Sequence, residues 1–93
     1  MPKVYLDGTL VVTSAAMLAV IEMYLDDHIA ATRAEPGCEK FEVNPDSKNP
    51  FHYIVSEIFS SEEAFAAHQE RAAASEWGQA TVTLERRYTK RVE

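Results

Sequence analysis

Pro36-Gly37 restricts this chain more than any other pair of residues. A residue that precedes proline is pushed out of α geometry, and glycine supplies the left-handed turn that ends helices. No helix can run through Thr32-Arg33-Ala34-Glu35-Pro36-Gly37-Cys38. The fold must therefore be built from separate elements on either side of that break. Ahead of it lie a β-rich run and a long helical pattern. Behind it come a strand, a loop, a strand, a helix and a strand.

Val4 to Val12 alternates as a strand does, with Val4, Leu6, Gly8, Leu10 and Val12 on one side and Tyr5, Asp7, Thr9 and Val11 on the other. Gly8 leaves room for the close approach of backbone or ligand. Thr13 or Ser14 is the predicted N-cap of the first helix. Leu18, Ile21, Leu25, Ile29 and Thr32 then recur at helical spacing, which predicts one apolar face with His28 at its edge. Cys38 to Val43 reads as the second strand. Residues 44–50, dense in Asn, Pro, Asp and Ser, read as a hairpin loop. Phe51 to Phe59 is apolar on both faces, as a central strand should be. Ser60 or Ser61 is the predicted N-cap of a second helix, and Ser60 with Glu63 makes a capping box; the helix continues, whole or broken, through Ser75, Glu76 and Trp77 and ends at Gly78. Thr81 to Tyr88 is the predicted last strand.

The order β-α-β-β-α-β is the ferredoxin-like split βαβ pattern of the α+β class, with strands one and three central in a four-stranded antiparallel sheet and both helices on one face. The chain reads as one domain, residues 1–93. A chain this short buries only roughly 60–65% of its unfolded surface and gains from a partner. With Val4, Leu6, Leu10, Val12, Ile54 and Ile58 assigned to the uncovered sheet face, a two-fold homodimer packed sheet to sheet is expected. The net charge of −6 argues against nucleic acid, which demands clustered Lys and Arg. A single cysteine excludes an internal disulfide and fits a reducing compartment. The sequence contains no apolar run approaching the ~20 residues that span a bilayer. No secretory leader is evident either, so a cytoplasmic domain is expected.

Thr32-Arg33-Ala34-Glu35-Pro36-Gly37-Cys38, Phe41-Glu42-Val43, Glu57-Ile58-Phe59 and Glu63-Ala64-Phe65-Ala66-Ala67-His68-Gln69 together resemble the antibiotic biosynthesis monooxygenase family. Within it they resemble the small quinol monooxygenase branch, and Ser75, Trp77, Thr81 and Arg87-Tyr88 fit as well. The resemblance extends from about Val4 to Tyr88. It implies a dimeric α+β barrel and cofactor-free oxygenation of a phenol or quinol, with O2 as co-substrate. It also admits haem degradation or a non-catalytic ligand-binding or stress-response role, since fold does not fix function. A metal site would need Asp7, His28, Glu57 and His68 to converge, which nothing in the spacing shows, so no metal is expected. Haem-degrading relatives carry an Asn on strand one, and a Trp on the second helix with a His after it. This chain has Asp7 and His68 at the first two places and no later histidine. The Pro-His pair found after the helical histidine of many quinol-type relatives is replaced here by Arg71-Ala72-Ala73-Ala74-Ser75.

The candidate site gathers residues taken to share one interior. Tyr5, Asp7 and Thr9 are assigned to it from strand one, Tyr53, Glu57 and Phe59 from strand three, and Phe65, His68 and Trp77 from the second helix. His28 and Thr32 are added from the first. An aromatic wall with a few polar groups suits a small aromatic substrate. His68 is the candidate base, because an imidazole takes a phenolic proton near neutral pH; the alternative is a helix histidine bonded to Glu57 or a backbone carbonyl. Asp7 is the candidate orienter of a histidine or binder of a substrate hydroxyl; otherwise it partners Arg33 or a histidine. Glu57, His28, Tyr53, Phe59, Phe65 and Trp77 are candidate substrate contacts, each with a structural alternative in the core. Arg33 and Glu35 are expected to lock the helix end, and Cys38 to be a small buried residue.

Overall fold

A computed structural model describes residues 2–93. Its elements are β1 (Val4–Val11), α1 (Ala15–Arg33), β2 (Cys38–Pro45), β3 (His52–Phe59), α2 (Glu62–Ala74), α3 (Glu76–Ala80) and β4 (Glu85–Val92). The strands form one antiparallel sheet in the order β2-β3-β1-β4, with β1 and β3 at the centre. This is the expected ferredoxin-like α+β architecture. Among the described residues no helix is long and apolar enough to cross a membrane.

Ser14 caps α1, its side chain accepting from the Met17 amide. The helix buries Ile21, Leu25, His28 and Thr32. Those positions run i, i+4, i+7, i+11, so His28 lies on the midline of the buried stripe rather than at its edge. Leu18 and Ile29 flank the stripe and are only partly buried. After Arg33 the chain turns through Gly37, whose φ of 88° is the left-handed conformation the sequence predicted. A Cβ there would also lie 2.6 Å from Ala64 Cβ and 2.8 Å from Ser60 Oγ, so the turn nests against the start of α2. The Arg33 guanidinium donates two hydrogen bonds to the Phe41 carbonyl, at 3.1 and 2.9 Å, and ties the helix end to β2.

The structure reverses one face assignment. In the β1–β3 ladder Val4 pairs with Phe59, Leu6 with Glu57 and Leu10 with Tyr53. Directly paired residues share a sheet face, so even positions of β1 lie with odd positions of β3. Val4, Leu6, Leu10 and Val12 are accordingly buried beneath the helices. Tyr5, Asp7, Thr9 and Val11 face the other way, alongside His52, Ile54, Ser56 and Ile58. The uncovered face is thus more polar than expected, although Ile54 is 45% exposed there. Gly8 sits where β4 crosses closely; a Cβ would lie 2.1 Å from the Arg87 carbonyl oxygen.

The second half differs from expectation in its boundaries. Of the two serines expected to cap α2, Ser61 does so, accepting from the Ala64 amide at 3.1 Å, and no capping box forms from Ser60, whose amide donates to the Gly37 carbonyl. Ser75 ends α2 and starts α3: its hydroxyl donates to the Ala72 carbonyl and accepts from the Gly78 amide. Gly78 therefore lies inside α3 rather than terminating a helix. β4 begins four residues later than predicted, because Thr81 belongs to the end of α3. Its hydroxyl, fully buried, donates to the Trp77 carbonyl at 2.7 Å and accepts from Arg86 at 2.9 Å. Arg86 also donates to the carbonyls of Thr81 and Leu84, which pins the turn into β4.

Candidate functional site

The helices do not close completely on the sheet. A cavity of about 420 Å3 lies between the four strands on one side and α1, α2 and α3 on the other, within the range of small-molecule sites. Leu6, Leu10, Phe41, Val43 and Val55 form its apolar floor and sides. Its polar lining is His28, Glu57, His68, Gln69, Arg86 and Tyr88, and Trp77 forms one wall.

His68 is placed by α2, whose buried face carries Phe65 and His68 at i and i+3. The ring stacks on Phe59, with centroids 4.8 Å apart, and meets the edge of Phe41 at 5.5 Å. It is 3% exposed. Nδ1 lies 2.7 Å from Glu35 Oε1, and Glu35 Oε2 accepts from Arg71 Nε at 2.6 Å. Arg71 continues to Thr32 Oγ1 at 3.0 Å. A carboxylate shared with an arginine is an acceptor, so the short bond requires Nδ1 to carry the hydrogen. That leaves Nε2 with its lone pair. Burial lowers the imidazole pKa and outweighs the opposing bond from Glu35, so the ring is held neutral. Burial works against charge on Glu35 too, but the bonds from Arg71 and His68 prevail and hold its carboxyl below the ordinary range.

Glu57 stands on the far side of the same ring. Its Oε1 lies 3.8 Å from His68 Nε2, outside hydrogen-bond range. That oxygen is buried and has no partner among the described residues. Burial in this apolar floor, reinforced by the charge of Glu35, pushes the Glu57 carboxyl up to about 7. His28 completes the ring of polar groups. It stacks on Trp77 at 4.9 Å and 10°, meets the edge of Phe41 at 5.4 Å, and has its centroid 6.1 Å from that of His68. Burial, aided by repulsion from His68, lowers its pKa to about 4. Its Nδ1 is buried without a partner among the described residues. Two residues that line the cavity therefore each hold a buried polar atom with no partner among the described residues, an arrangement that costs free energy.

Of the eight residues picked from sequence, His68, Glu57, His28 and Trp77 line the cavity. Tyr53 is buried in the larger core cluster with Leu10 and Val55, and does not reach the cavity. Phe59 and Phe65 pack with Val4 and Leu6 in a second cluster, where Phe59 supports the back of His68. Asp7 lies on the opposite sheet face, where it accepts a hydrogen bond from Ser56 at 2.9 Å. It therefore orients neither histidine and does not pair with Arg33; the odd sum of the β1–β3 register puts it there. The orienting carboxylate is Glu35, expected only to lock the helix end. Arg71, three residues after His68 on the same helical face, was legible by spacing but lacked a visible partner. Arg86 and Tyr88 line the cavity from one face of β4, paired with Leu10 and Gly8 of β1; burial pushes the Tyr88 hydroxyl up to about 12.

The model of the antibiotic biosynthesis monooxygenase family matches residues 7–80. No curated protein is similar enough to the chain to count as a relative. Several solved structures share its fold. A conserved protein of unknown function from Bacteroides thetaiotaomicron, described as a possible oxidoreductase, aligns over 98% of this chain and 97% of its own with a TM-score of 0.79 and 20% identity. A protein from Nitrosomonas europaea, provisionally named an antibiotic biosynthesis monooxygenase, aligns over 99% and 88% with a TM-score of 0.76 and 14% identity. A protein from Deinococcus radiodurans with the same provisional name aligns over 98% and 90% with a TM-score of 0.71 and 22% identity. At such identities the likeness speaks for fold alone.

Proposed function

The chain belongs to the antibiotic biosynthesis monooxygenase family, and from that premise we propose that it is a cofactor-independent monooxygenase that oxidises a quinol or polyphenolic aromatic with O2. The observation that carries the reading is the Glu35–His68 pair. Glu35 holds the Nδ1 hydrogen at 2.7 Å and leaves Nε2 as a basic lone pair on a ring that lines the cavity. A group of that kind takes the proton of a bound phenolic hydroxyl, and Glu35 steadies the imidazolium that results. The phenolate is electron-rich enough to pass electrons to O2. A quinol needs no second reductant: hydroquinone and O2 give hydroxybenzoquinone and water. One oxygen atom enters a ring C–H bond, the other leaves as water, and all four electrons come from the substrate. The stacked His28 and Trp77 offer a flat wall for an aromatic ring.

Oxygen uptake with a panel of hydroquinones tests the reading. His68→Ala should lower the rate about 100-fold or more at saturating substrate. Identical products with and without air, or an unchanged His68→Ala rate, would sink it. Tight aromatic binding without oxygen uptake would instead select a ligand-binding role for the same cavity. The reading also includes a cytoplasmic homodimer joined sheet to sheet, through a face that offers Tyr5, Val11, Ile54 and Ile58. Sedimentation equilibrium of the wild type and of Ile54→Lys tests that part, with the variant expected to be monomeric.

A further inference from the structure

We infer that Glu57 and His68 grip one and the same substrate oxygen, Glu57 as hydrogen-bond donor and His68 as acceptor, so that the site selects phenolic hydroxyls and holds them as phenolates. The inference rests on reading the cavity as an aromatic site and assigns Glu57 a catalytic role beside His68. Its starting point is the gap between Glu57 Oε1 and His68 Nε2. At 3.8 Å the two atoms are too far apart to bond each other. They are well spaced to share a third atom: an oxygen about 2.75 Å from each would see them at an angle of roughly 90°, which a hydroxyl accommodates. Both residues line the cavity, and Glu57 Oε1 is buried without a partner among the described residues.

The division of roles follows from what surrounds Glu57. From α2 it faces His68, whose Nδ1–H is already given to Glu35 and whose Nε2 is therefore an acceptor. From α1 it faces the neutral His28, and on β1 its paired residue is Leu6. From β4 come Tyr88 and Arg86, but the Arg86 guanidinium donates to Thr81 and Leu84. A carboxylate so placed has no cation bonded to it, and burial favours its neutral, protonated form. The carboxyl's position near 7 agrees with this. Two acceptors would repel around a phenolate oxygen, whereas one donor and one acceptor complement a phenol as it loses its proton. The proton passes from the phenol oxygen to His68 Nε2. Glu57 keeps its own proton and donates a hydrogen bond to the oxygen left behind, as in an oxyanion hole.

Binding of 4-nitrophenol, colourless as the phenol and yellow as the phenolate, tests this without turnover. The titration is run at a pH where the free probe is mainly colourless. The wild-type chain should bind it and turn it yellow, and should bind 4-nitroanisole, which has no O–H, at least tenfold more weakly. Glu57→Gln, whose amide still donates, should bind 4-nitrophenol within a few-fold of wild type, while Glu57→Leu should lose tenfold or more. His68→Ala should leave any bound probe colourless. Equal binding of the anisole, a colourless wild-type complex, equal loss in the Gln and Leu variants, or no binding at all would overturn the inference. The anisole comparison uses only the wild-type chain and decides even if Glu57→Leu does not fold. A yellow complex with no oxygen uptake from hydroquinones would refute the oxygenase reading while leaving the two-residue grip intact.

Discussion

Two carboxylates flank the ring of His68, and they have opposite fates. Glu35 meets the Nδ1 side, is bonded at 2.7 Å to the imidazole and at 2.6 Å to Arg71, and is held ionised. Glu57 meets the Nε2 side, touches no donor, and is pushed toward its neutral form. The same residue type on either side of one imidazole is thus structural on the first side and available on the second. The difference is a cation: Arg71 lies beside Glu35, whereas the arginine nearest in the cavity wall to Glu57 is committed to Thr81 and Leu84. Charge compensation, more than burial, decides which carboxylate supports the fold and which is open to a ligand.

Removing the compensated side should have the largest effect. Glu35→Ala strands the buried Nδ1–H of His68 and takes the anion from Arg71, so unfolding free energy in urea should fall by about 3–4 kcal/mol. Any His68-dependent oxidation should fall with it, because the imidazole loses its fixed tautomer. Glu35→Gln, which can still accept at Nδ1, should recover part of the stability and little of the effect on Arg71.

The uncompensated side should respond in the opposite sense and only at higher pH. The Glu57 carboxyl is raised by burial from 4.5 to about 7 in the folded chain. Between those values the folded state holds a proton that the unfolded state has released, so this residue's contribution to stability declines as pH rises from about 4.5 to 7. Glu57→Gln cannot ionise. Its stability relative to wild type should therefore increase over that window, by an amount on the order of 3 kcal/mol, and be level below about pH 4. Parallel urea titrations from pH 4 to 8 check it; a pH-independent difference would mean that Glu57 is solvated and unperturbed. His28 should give a counterpart of similar size with the reverse slope. Its folded pKa is lowered to about 4, so protonation of the unfolded chain drains stability as pH falls from about 6.5 toward 4. His28→Phe, which preserves a flat ring against Trp77, should gain on wild type over that range by an amount on the order of 3 kcal/mol.

The comparison also shows what the sequence could disclose. Pro36-Gly37, the alternation in β1 and β3 and the i, i+4 spacing in α1 are local patterns, and they sufficed for element order and sheet type. His68, Glu57, His28 and Trp77 were identifiable as chemically capable groups on inward-facing elements. The faces of β1 were not, because parity along a strand says nothing about which parity meets the helices; that depends on the β1–β3 register, set across the sheet at Val4–Phe59. Glu35 was misjudged for a related reason. It lies in a turn, with no periodicity to give its direction, and its bonds reach 33 residues to His68 and 36 to Arg71. The start of β4 depended on Thr81 bonding back to Trp77 and Arg86, which composition read as strand.

Asp7 supplies the smallest effect and the cleanest control for the contrast between the two carboxylates. It is a third carboxylate near the centre of the sheet, one residue from the Leu6 partner of Glu57, yet it lies exposed on the opposite face and accepts from Ser56 at 2.9 Å. Its bond is open to solvent, so its net worth is small. Asp7→Asn should change unfolding free energy by less than about 0.5 kcal/mol and leave 4-nitrophenol binding and oxygen uptake unchanged. Together with the Glu57 and Glu35 variants it varies position at constant side-chain chemistry. A large loss of binding or uptake in Asp7→Asn would mean that the uncovered sheet face takes part in the site, and the cavity beneath the helices would then be only part of it.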